Sequence, residues 1–522
     1  MDSEARSENL DGFKKPSPGR TNLVFKAMLI FSCLVVSLAY WLFFSYAFKQ
    51  GQAIEYEGPC LWGAYRIAHG LNPYPLESLS QSPYAVLIYP PVYFYIASLF
   101  LHGEPSYLMP RLISMVASLA TAGFYYAFLR SLNLSRLASG SGSCLLMSFM
   151  AIWLWSAKGR VDALSIALTC LGLFLYGAAC KNNKPGSLIL SAAALMLATM
   201  TKQPSALFVP ALALDLVCRR KFKNLLLFSG SYLLFLVSSI LAMQVVTQGG
   251  FLAHMRFASH MPFEWRYLFE RLALMASDIP KFLLAGFAAV ALLLKGKLRL
   301  GQEDNLRLGA LLMLATTIPV TFYTAGTAYS NVNHFLVTLL PLPLLIASAL
   351  DSGRAKLEEN SDPPIFFAFL TGTTLILSSL IIVFLGFAQF AQGPQGKVLS
   401  LSNPVNVEEF RTLVKGKPVL CEDAGYNILY GATAEPVDIT TFIQVLGLDG
   451  PQAADMLKKV QGRQYAAIVI NHKEMDGTRS ARQWSRSITD AITENYSLLG
   501  QINGNCEAQD VFIPKSSPQL TK

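Results

Sequence analysis

Apolar residues in this chain gather into long uninterrupted runs, not into the two- or three-to-four-residue rhythm of soluble strands and helices. The runs cover 22–48, 108–129, 137–156, 163–180, 187–201, 204–218, 224–247, 272–294, 308–326, 334–350 and 364–390. A helix needs about 20 apolar residues to cross a bilayer. The pattern therefore predicts an α-helical polytopic membrane protein with about eleven transmembrane helices, the one at 204–218 being short. The first run is too long for the core of a signal peptide and no small-residue cleavage site follows it, so it is expected to remain as a signal anchor. The apolar stretch 87–101 has 15 residues and opens on Pro90-Pro91, which suits a helix lying at the membrane surface better than one crossing it.

Beyond residue 390 the pattern changes. Short apolar runs at 417–421 and 465–470 flank an amphipathic stretch at 452–462, followed by a second expected helix at 485–495 and a last strand near 510–513. This predicts a small α/β domain. The expected division is a cytoplasmic tail (1–21), a transmembrane unit (22–390) whose first outer loop (49–107) carries two interfacial helices, and an outer α/β domain (391–522).

Charge fixes the expected orientation. Basic residues recur at Arg130/Arg136, Lys181/Lys184, Arg219/Arg220/Lys221/Lys223, Lys295/Lys297/Arg299/Arg307 and Arg354/Lys356. With eleven spans and no crossing at 87–101, every one of these loops lies on the cytoplasmic side. The N-terminus is then inside and the C-terminal domain outside. Of the 522 residues 53% are hydrophobic and only 14% charged, against roughly a quarter charged in soluble proteins. That excludes a soluble enzyme, a disordered chain and a nucleic-acid binder, and the net charge of +9 is accounted for by the basic loops. The eight Cys form no CxxC pattern; a Cys421–Cys506 disulfide in the outer domain is an open possibility.

Candidate chemistry collects on the outer side. Glu55 and Glu57 precede a helix with Pro59 in its first turn and an apolar stripe of Leu61, Ala64, Tyr65 and Ala68. Carboxylates beside a low-dielectric layer suit a general base, although Glu near a helix start is favourable in its own right. Tyr89, ahead of Pro90-Pro91, is either part of an interfacial aromatic belt or a wall for a sugar or lipid. Lys158, Arg160 and Asp162 sit where two spans meet on a side poor in basic residues. They are suited to grip a phosphate with Asp162 orienting Arg160, or to finish two helices as an ion pair. Lys202, in TMTKQP, either snorkels to headgroups or faces the same phosphate. Residues 254–271 hold His254, Arg256 and His260 in what reads as a solvated interfacial helix; Arg256 is a further candidate for the phosphate and His260 for the substrate. Asn331, Asn333 and His334 stand before the tenth span as caps or, for Asn333, as a substrate contact.

These motifs, in this order and on this side, resemble the GT-C superfamily of membrane glycosyltransferases, in particular the aminoarabinose transferases of lipid A and the protein O-mannosyltransferases. The resemblance rests on the first-loop acid, Gly70 with Tyr74, the Tyr89–Pro91 segment, Arg111, Arg160–Asp162, Thr201–Gln203, Asn333–Phe335 and the small outer domain. It covers essentially the whole chain. It implies inverting transfer of a sugar from a polyprenyl-phosphate-type lipid donor to a lipid, glycan or protein acceptor at the outer face. A bacterial inner membrane is the expected location, and membrane lipids the surroundings. No cofactor is required; a divalent metal is not supported by any motif. The first-loop acid is the implied base, with Lys202 and Arg160 at the phosphate. By spacing to Gly70, Glu57 matches the Glu of the Asp-Glu form of the family and Glu55 the lone Asp of the aminoarabinose enzymes, so the assignment is split. Glu57→Gln is expected to lower transfer strongly without loss of folding, with Glu55→Gln as the control.

Two other classes fit parts of the pattern. A transporter of lipid-linked sugars shares the cavity and cations but calls for charges along a path through the bilayer, which these spans hold in small number. A non-catalytic scaffold predicts indifference to substitution of both glutamates.

Overall fold

A computed structural model describes residues 18–49, 54, 56–258, 262–294, 306–327, 330–358, 362–391, 403–422, 424–436, 450–477, 484–504 and 507–515. Helices dominate up to residue 391. After α1 (Pro18–Lys49) the chain forms two short helices, α2 (Gly58–Ala68) and α3 (Val92–Ser98). Then come α4 (Leu108–Ser131), α5 (Arg136–Met147), α6 (Met150–Leu154), α7 (Val161–Asn182), α8 (Pro185–Thr199), α9 (Phe208–Cys218) and α10 (Phe222–Val246). Two short helices, α11 (Gly250–Ala258) and α12 (Trp265–Leu274), lead to α13 (Ile279–Leu294), α14 (Leu306–Ala325), α15 (Leu336–Leu339), α16 (Pro341–Glu358) and α17 (Asp362–Ala391).

All eleven apolar runs are helical. Among the described residues eight helices are long and apolar enough to cross a membrane. The other three runs are shorter or broken. The run at 137–156 divides into α5 and α6 at Ser148-Phe149, and α8 and α9 have 15 and 11 residues. A 15-residue helix rises about 22 Å, less than the ~30 Å of hydrocarbon. The turns that end α6 and α8 are those that carry the cations described below. The stretch 87–101 does not cross: its helix, α3, has seven residues.

Small residues let the long helices approach. Gly372 of α17 faces the Met28 side chain, and Gly386 faces the Ala39 carbonyl, so the first and last long helices lie together. Gly172 of α7 packs on Leu195 of α8, and Ser191 Oγ donates to the Gly172 carbonyl at 2.7 Å. The basic residues Arg130 and Lys181 end helices α4 and α7, whose opposite ends carry Arg111 and Asp162.

The C-terminal residues form a five-stranded sheet of order β2-β1-β3-β5-β4. Its strands are β1 (Pro418–Cys421), β2 (Thr433–Glu435), β3 (Ala467–Asn471), β4 (Tyr496–Gly504) and β5 (Glu507–Pro514). The first three are parallel and the last two form an antiparallel hairpin beside β3. Helices α18 (Val407–Val414) and α19 (Ala424–Tyr430) supply Phe410, Val414 and Tyr430 to one face. Helices α20 (Pro451–Gln461) and α22 (Arg486–Asn495) cover the other, with α21 (His472–Met475) a single turn after β3. Tyr84 and Val86 of the first loop join that second core, and Tyr84 donates to Asp455 at 2.9 Å. The sheet and the first loop are thus packed on the same end of the helices. Cys421 is buried beside Asn427; Cys506 lies outside the described residues.

Candidate active site where the helix ends converge

Asp162 is the hub. It lies in the first turn of α7, where the unpaired N–H groups favour a carboxylate. Its side chain is buried, and it collects partners from three separate segments. Lys202 Nζ, in the turn after α8, is 2.5 Å from Oδ1. Asn333 Nδ2, in the turn before α15, donates to the same oxygen at 3.0 Å. Arg160 Nε reaches Oδ2 at 3.5 Å. Pro204 opens the 3-10 turn after Lys202 and fixes its direction.

Aromatic rings wall the cations. The Arg160 guanidinium carbon stands 5.1 Å from the Trp155 ring centre and 5.6 Å from that of Tyr89, and Arg160 Nη2 donates to the Tyr89 hydroxyl at 2.6 Å. Lys158 Nζ is 4.0 Å from the Trp155 ring on the same loop. Tyr89 is itself held: the Tyr74 hydroxyl donates to its carbonyl at 2.7 Å. Lys158, Arg160 and Lys202 are buried cations that lie near the buried Asp162 carboxylate, with Arg160 and Lys202 paired to it.

Glu57 belongs to a second arrangement. Arg111 Nη2 donates to Oε2 at 2.6 Å and Nε to Oε1 at 3.0 Å, with neither side chain exposed. The Gly159 N–H donates to Oε1 at 2.5 Å and the Ile54 N–H to Oε2 at 2.6 Å. Arg111 also donates to the Ala47 carbonyl at 3.0 Å. The pair therefore staples the end of α1, the 54–57 loop, α4 and the 158–160 loop. Gly159 is needed here because a Cβ would stand 2.8 Å from Pro110 Cβ. Between the two arrangements Tyr56 adopts a left-handed backbone (φ 55°), unusual for a bulky residue, and its carbonyl accepts from Arg160 Nη1 at 2.7 Å.

The comparisons with known proteins point one way. Residues 89–246 match the family described as dolichyl-phosphate-mannose-protein mannosyltransferase. ArnT from Cupriavidus metallidurans, solved bound to undecaprenyl phosphate, superposes with a TM-score of 0.60 at 12% identity over 93% of this chain and 98% of that one. The chain has the GT-C fold. The oligosaccharyltransferase of Archaeoglobus fulgidus, tethered with an acceptor peptide, gives 0.53 at 9% identity over 90% of this chain and 72% of its own. At these identities the likeness is one of fold. No curated protein sequence matches the chain.

Within this GT-C fold, Lys202, Arg160, Asp162, Asn333 and Tyr89 meet in one cluster, with Lys158 joined through Trp155. Arg256 is exposed in the last turn of α11. Its neighbour Met255 is 3.3 Å from Gln203 Nε2, so this helix end lies beside the Lys202 turn. Glu55 and His260 lie outside the described residues. Asn331 caps the turn at Val332, whereas Asn333 binds Asp162. His254 is not solvated as its sequence context suggests. It is buried between two backbone groups, accepting from the Leu87 N–H at 3.1 Å and donating to the Pro75 carbonyl at 3.0 Å. Burial pushes its pKa down to about 4, and the Pro75 contact opposes this in part.

Sequence reasoning passed over two features. Trp155 ends the broken 137–156 run and reads as core until its two cation contacts are seen. Asp278 and Lys281 form a buried ion pair, and Lys281 also donates to the Ser148 carbonyl at 2.8 Å. Opposite charges three residues apart inside an apolar run were the available signal.

Proposed function

We propose that the protein is a membrane glycosyltransferase that moves a sugar from a polyprenyl-phosphate-type lipid to an acceptor. The observation that carries this reading is the convergence of the buried cations Lys202, Arg160 and Lys158 around Asp162, walled by Tyr89 and Trp155. The ArnT neighbour's undecaprenyl phosphate supports a lipid phosphate as the group these cations would hold. The match to a mannosyltransferase family supports a sugar as the transferred group.

In the proposed reaction an acceptor hydroxyl or amine attacks the anomeric carbon. The bond from that carbon to the phosphate oxygen breaks, and its electron pair leaves with the lipid phosphate. The configuration inverts. Lys202, Arg160 and Lys158 hold the phosphate as its charge grows, with Arg256 contributing from the 254–271 segment and His260 contacting the substrate. Asp162 and Asn333 hold Lys202 in place. A carboxylate takes the acceptor's proton. Glu57 has both oxygens occupied by Arg111 and backbone N–H groups, which favours Glu55 as the base and Glu57 as the residue that positions its loop. Arg160 grips the Tyr56 carbonyl, so the residue next to Glu55 is tied to the phosphate cluster.

The transferase unit is assigned to 22–390 after a cytoplasmic tail, 1–21, with 391–522 as an α/β unit on the outer face of a bacterial plasma membrane. The test is transfer by purified protein in lipid, using radiolabelled polyprenyl-phosphate sugars. Wild type is expected to release or transfer label and Glu55→Gln to lose at least a hundredfold in rate. No turnover with any donor despite binding moves the assignment to transport.

A further inference from the structure

Residues 84–88 of the first loop form neither helix nor strand, yet Tyr84 to Leu87 are buried. The buried backbone groups of such a segment need partners from elsewhere in the chain. The Ala85 N–H donates to the Ser78 carbonyl at 3.1 Å and the Leu87 N–H to His254 Nδ1 at 3.1 Å. The Ile88 carbonyl accepts from Gln203 Nε2 at 2.7 Å. The segment is pinned along its length.

At its start it is fastened to the C-terminal unit by side chains. Ser82 Oγ donates to Glu435 Oε2 at 2.7 Å, and Lys459 Nζ of α20 donates to Oε1 of the same carboxylate at 2.9 Å. Glu435 closes β2 and is 3% exposed, and Lys459 supplies the opposite charge. Tyr84 donates to Asp455 of α20 at 2.9 Å, and Lys459 Nζ stands 5.5 Å from the centre of the Tyr84 ring.

At its other end the segment meets the cations around Asp162. The Tyr89 hydroxyl accepts from Arg160 Nη2. Lys202 lies between two further contacts of the same stretch. Gln203 holds the Ile88 carbonyl, and the Met200 carbonyl accepts from the Val92 N–H at 3.0 Å. Tyr84 and Tyr89 are five residues apart, no more than about 18 Å at full extension. A short segment pinned between its two fastened ends can carry a displacement from one to the other.

We infer that the C-terminal unit sets the position of Arg160 and Lys202 through the 82–89 segment, with Tyr84 and the Glu435–Lys459 pair as positioning residues. The inference rests on the glycosyltransferase reading, since it says what holds that site's phosphate-binding cations in place. It gives the C-terminal unit a part in donor binding although none of its residues touches the Asp162 cluster. Coupling is reciprocal, so a phosphate bound at the cluster must tighten the contact between the segment and α20.

The test is titration of polyprenyl phosphate into full-length protein in lipid nanodiscs, with amide hydrogen exchange followed in the same samples. The fastening is removed by combining Tyr84→Phe with Glu435→Gln and Lys459→Met, which leaves neither buried charge unpaired. The triple variant is expected to bind polyprenyl phosphate about fivefold or more weakly than wild type. Tyr84→Phe alone, which keeps the ring in its core, should shift affinity in the same direction, and Lys459→Arg, which keeps the pair, should bind as wild type does. Polyprenyl phosphate should slow exchange in α20 of wild type and leave α20 of the triple variant unchanged. Equal affinity in wild type, Tyr84→Phe and the triple variant, or exchange in wild-type α20 that ignores the phosphate, overturns the inference. Failure of wild type to bind polyprenyl phosphate at all would instead overturn the transferase reading on which the inference rests.

Discussion

The Glu57 carboxylate and the Arg111 guanidinium meet through bonds of 2.6 Å and 3.0 Å with no exposed surface on either side chain. Two backbone N–H groups complete the carboxylate's shell, so this first-loop acid is engaged as a staple. The sequence pattern implies that Glu57→Gln leaves folding intact. The geometry predicts otherwise.

Breaking a buried ion pair on one side costs about 3–5 kcal/mol. Glu57→Ala is therefore expected to lower the thermal unfolding temperature and the yield of monodisperse protein. Arg111→Met should do the same. The double variant removes both charges and is expected to recover part of the loss. A double variant worse than either single, measured by thermal unfolding in detergent, would contradict the staple.

A Cβ on residue 159 would press on Pro110 and stand 3.2 Å from Glu57 Oε1. Gly159→Ala is expected to destabilise by about 1–3 kcal/mol and to reduce sugar transfer with it. Equal stability and equal transfer in the variant would show that this contact has slack.

His254 supplies a pH dependence. Its pKa falls from about 6.5 in the unfolded chain to about 4 in the fold, through burial. The unfolded state thus takes up a proton that the folded state refuses. The stability from neutral His254 is full above about pH 6.5 and is lost as the pH falls to 4, by up to about 3 kcal/mol. The unfolding temperature should fall across this window, and His254→Gln should flatten that part of the profile. An unchanged slope in the variant would assign the acid sensitivity to other groups.

The long helices were legible because an apolar run is a local signal, and Pro90-Pro91 marked where the 87–101 run is cut to a seven-residue helix. The partners of the site were not, because its bonds join distant positions. Asp162 and Asn333 are 171 residues apart and Arg111 and Glu57 are 54 apart, and no local rhythm encodes such pairs. The candidates were nevertheless visible as charges at the ends of apolar runs, which is why Lys202, Arg160 and Asp162 were singled out. Trp155 was hidden by its own hydrophobicity. Strand β2, three residues at Thr433–Glu435, was too short to give an alternating pattern. Glu57 shows the limit from the other side: its type and spacing fit a base, while its role depends on Arg111 arriving from another helix.

Binding of a lipid phosphate by the Asp162 cluster is measured by titrating a polyprenyl phosphate into the purified protein in nanodiscs. Each charge-assisted bond to the phosphate contributes about 1.5–3 kcal/mol, so Lys202→Ala and Arg160→Ala should each weaken binding roughly tenfold to hundredfold. Lys473→Ala, in the C-terminal sheet unit, serves as the control and should leave it unchanged. Equal affinity in wild type, Lys202→Ala and Arg160→Ala would contradict the claim.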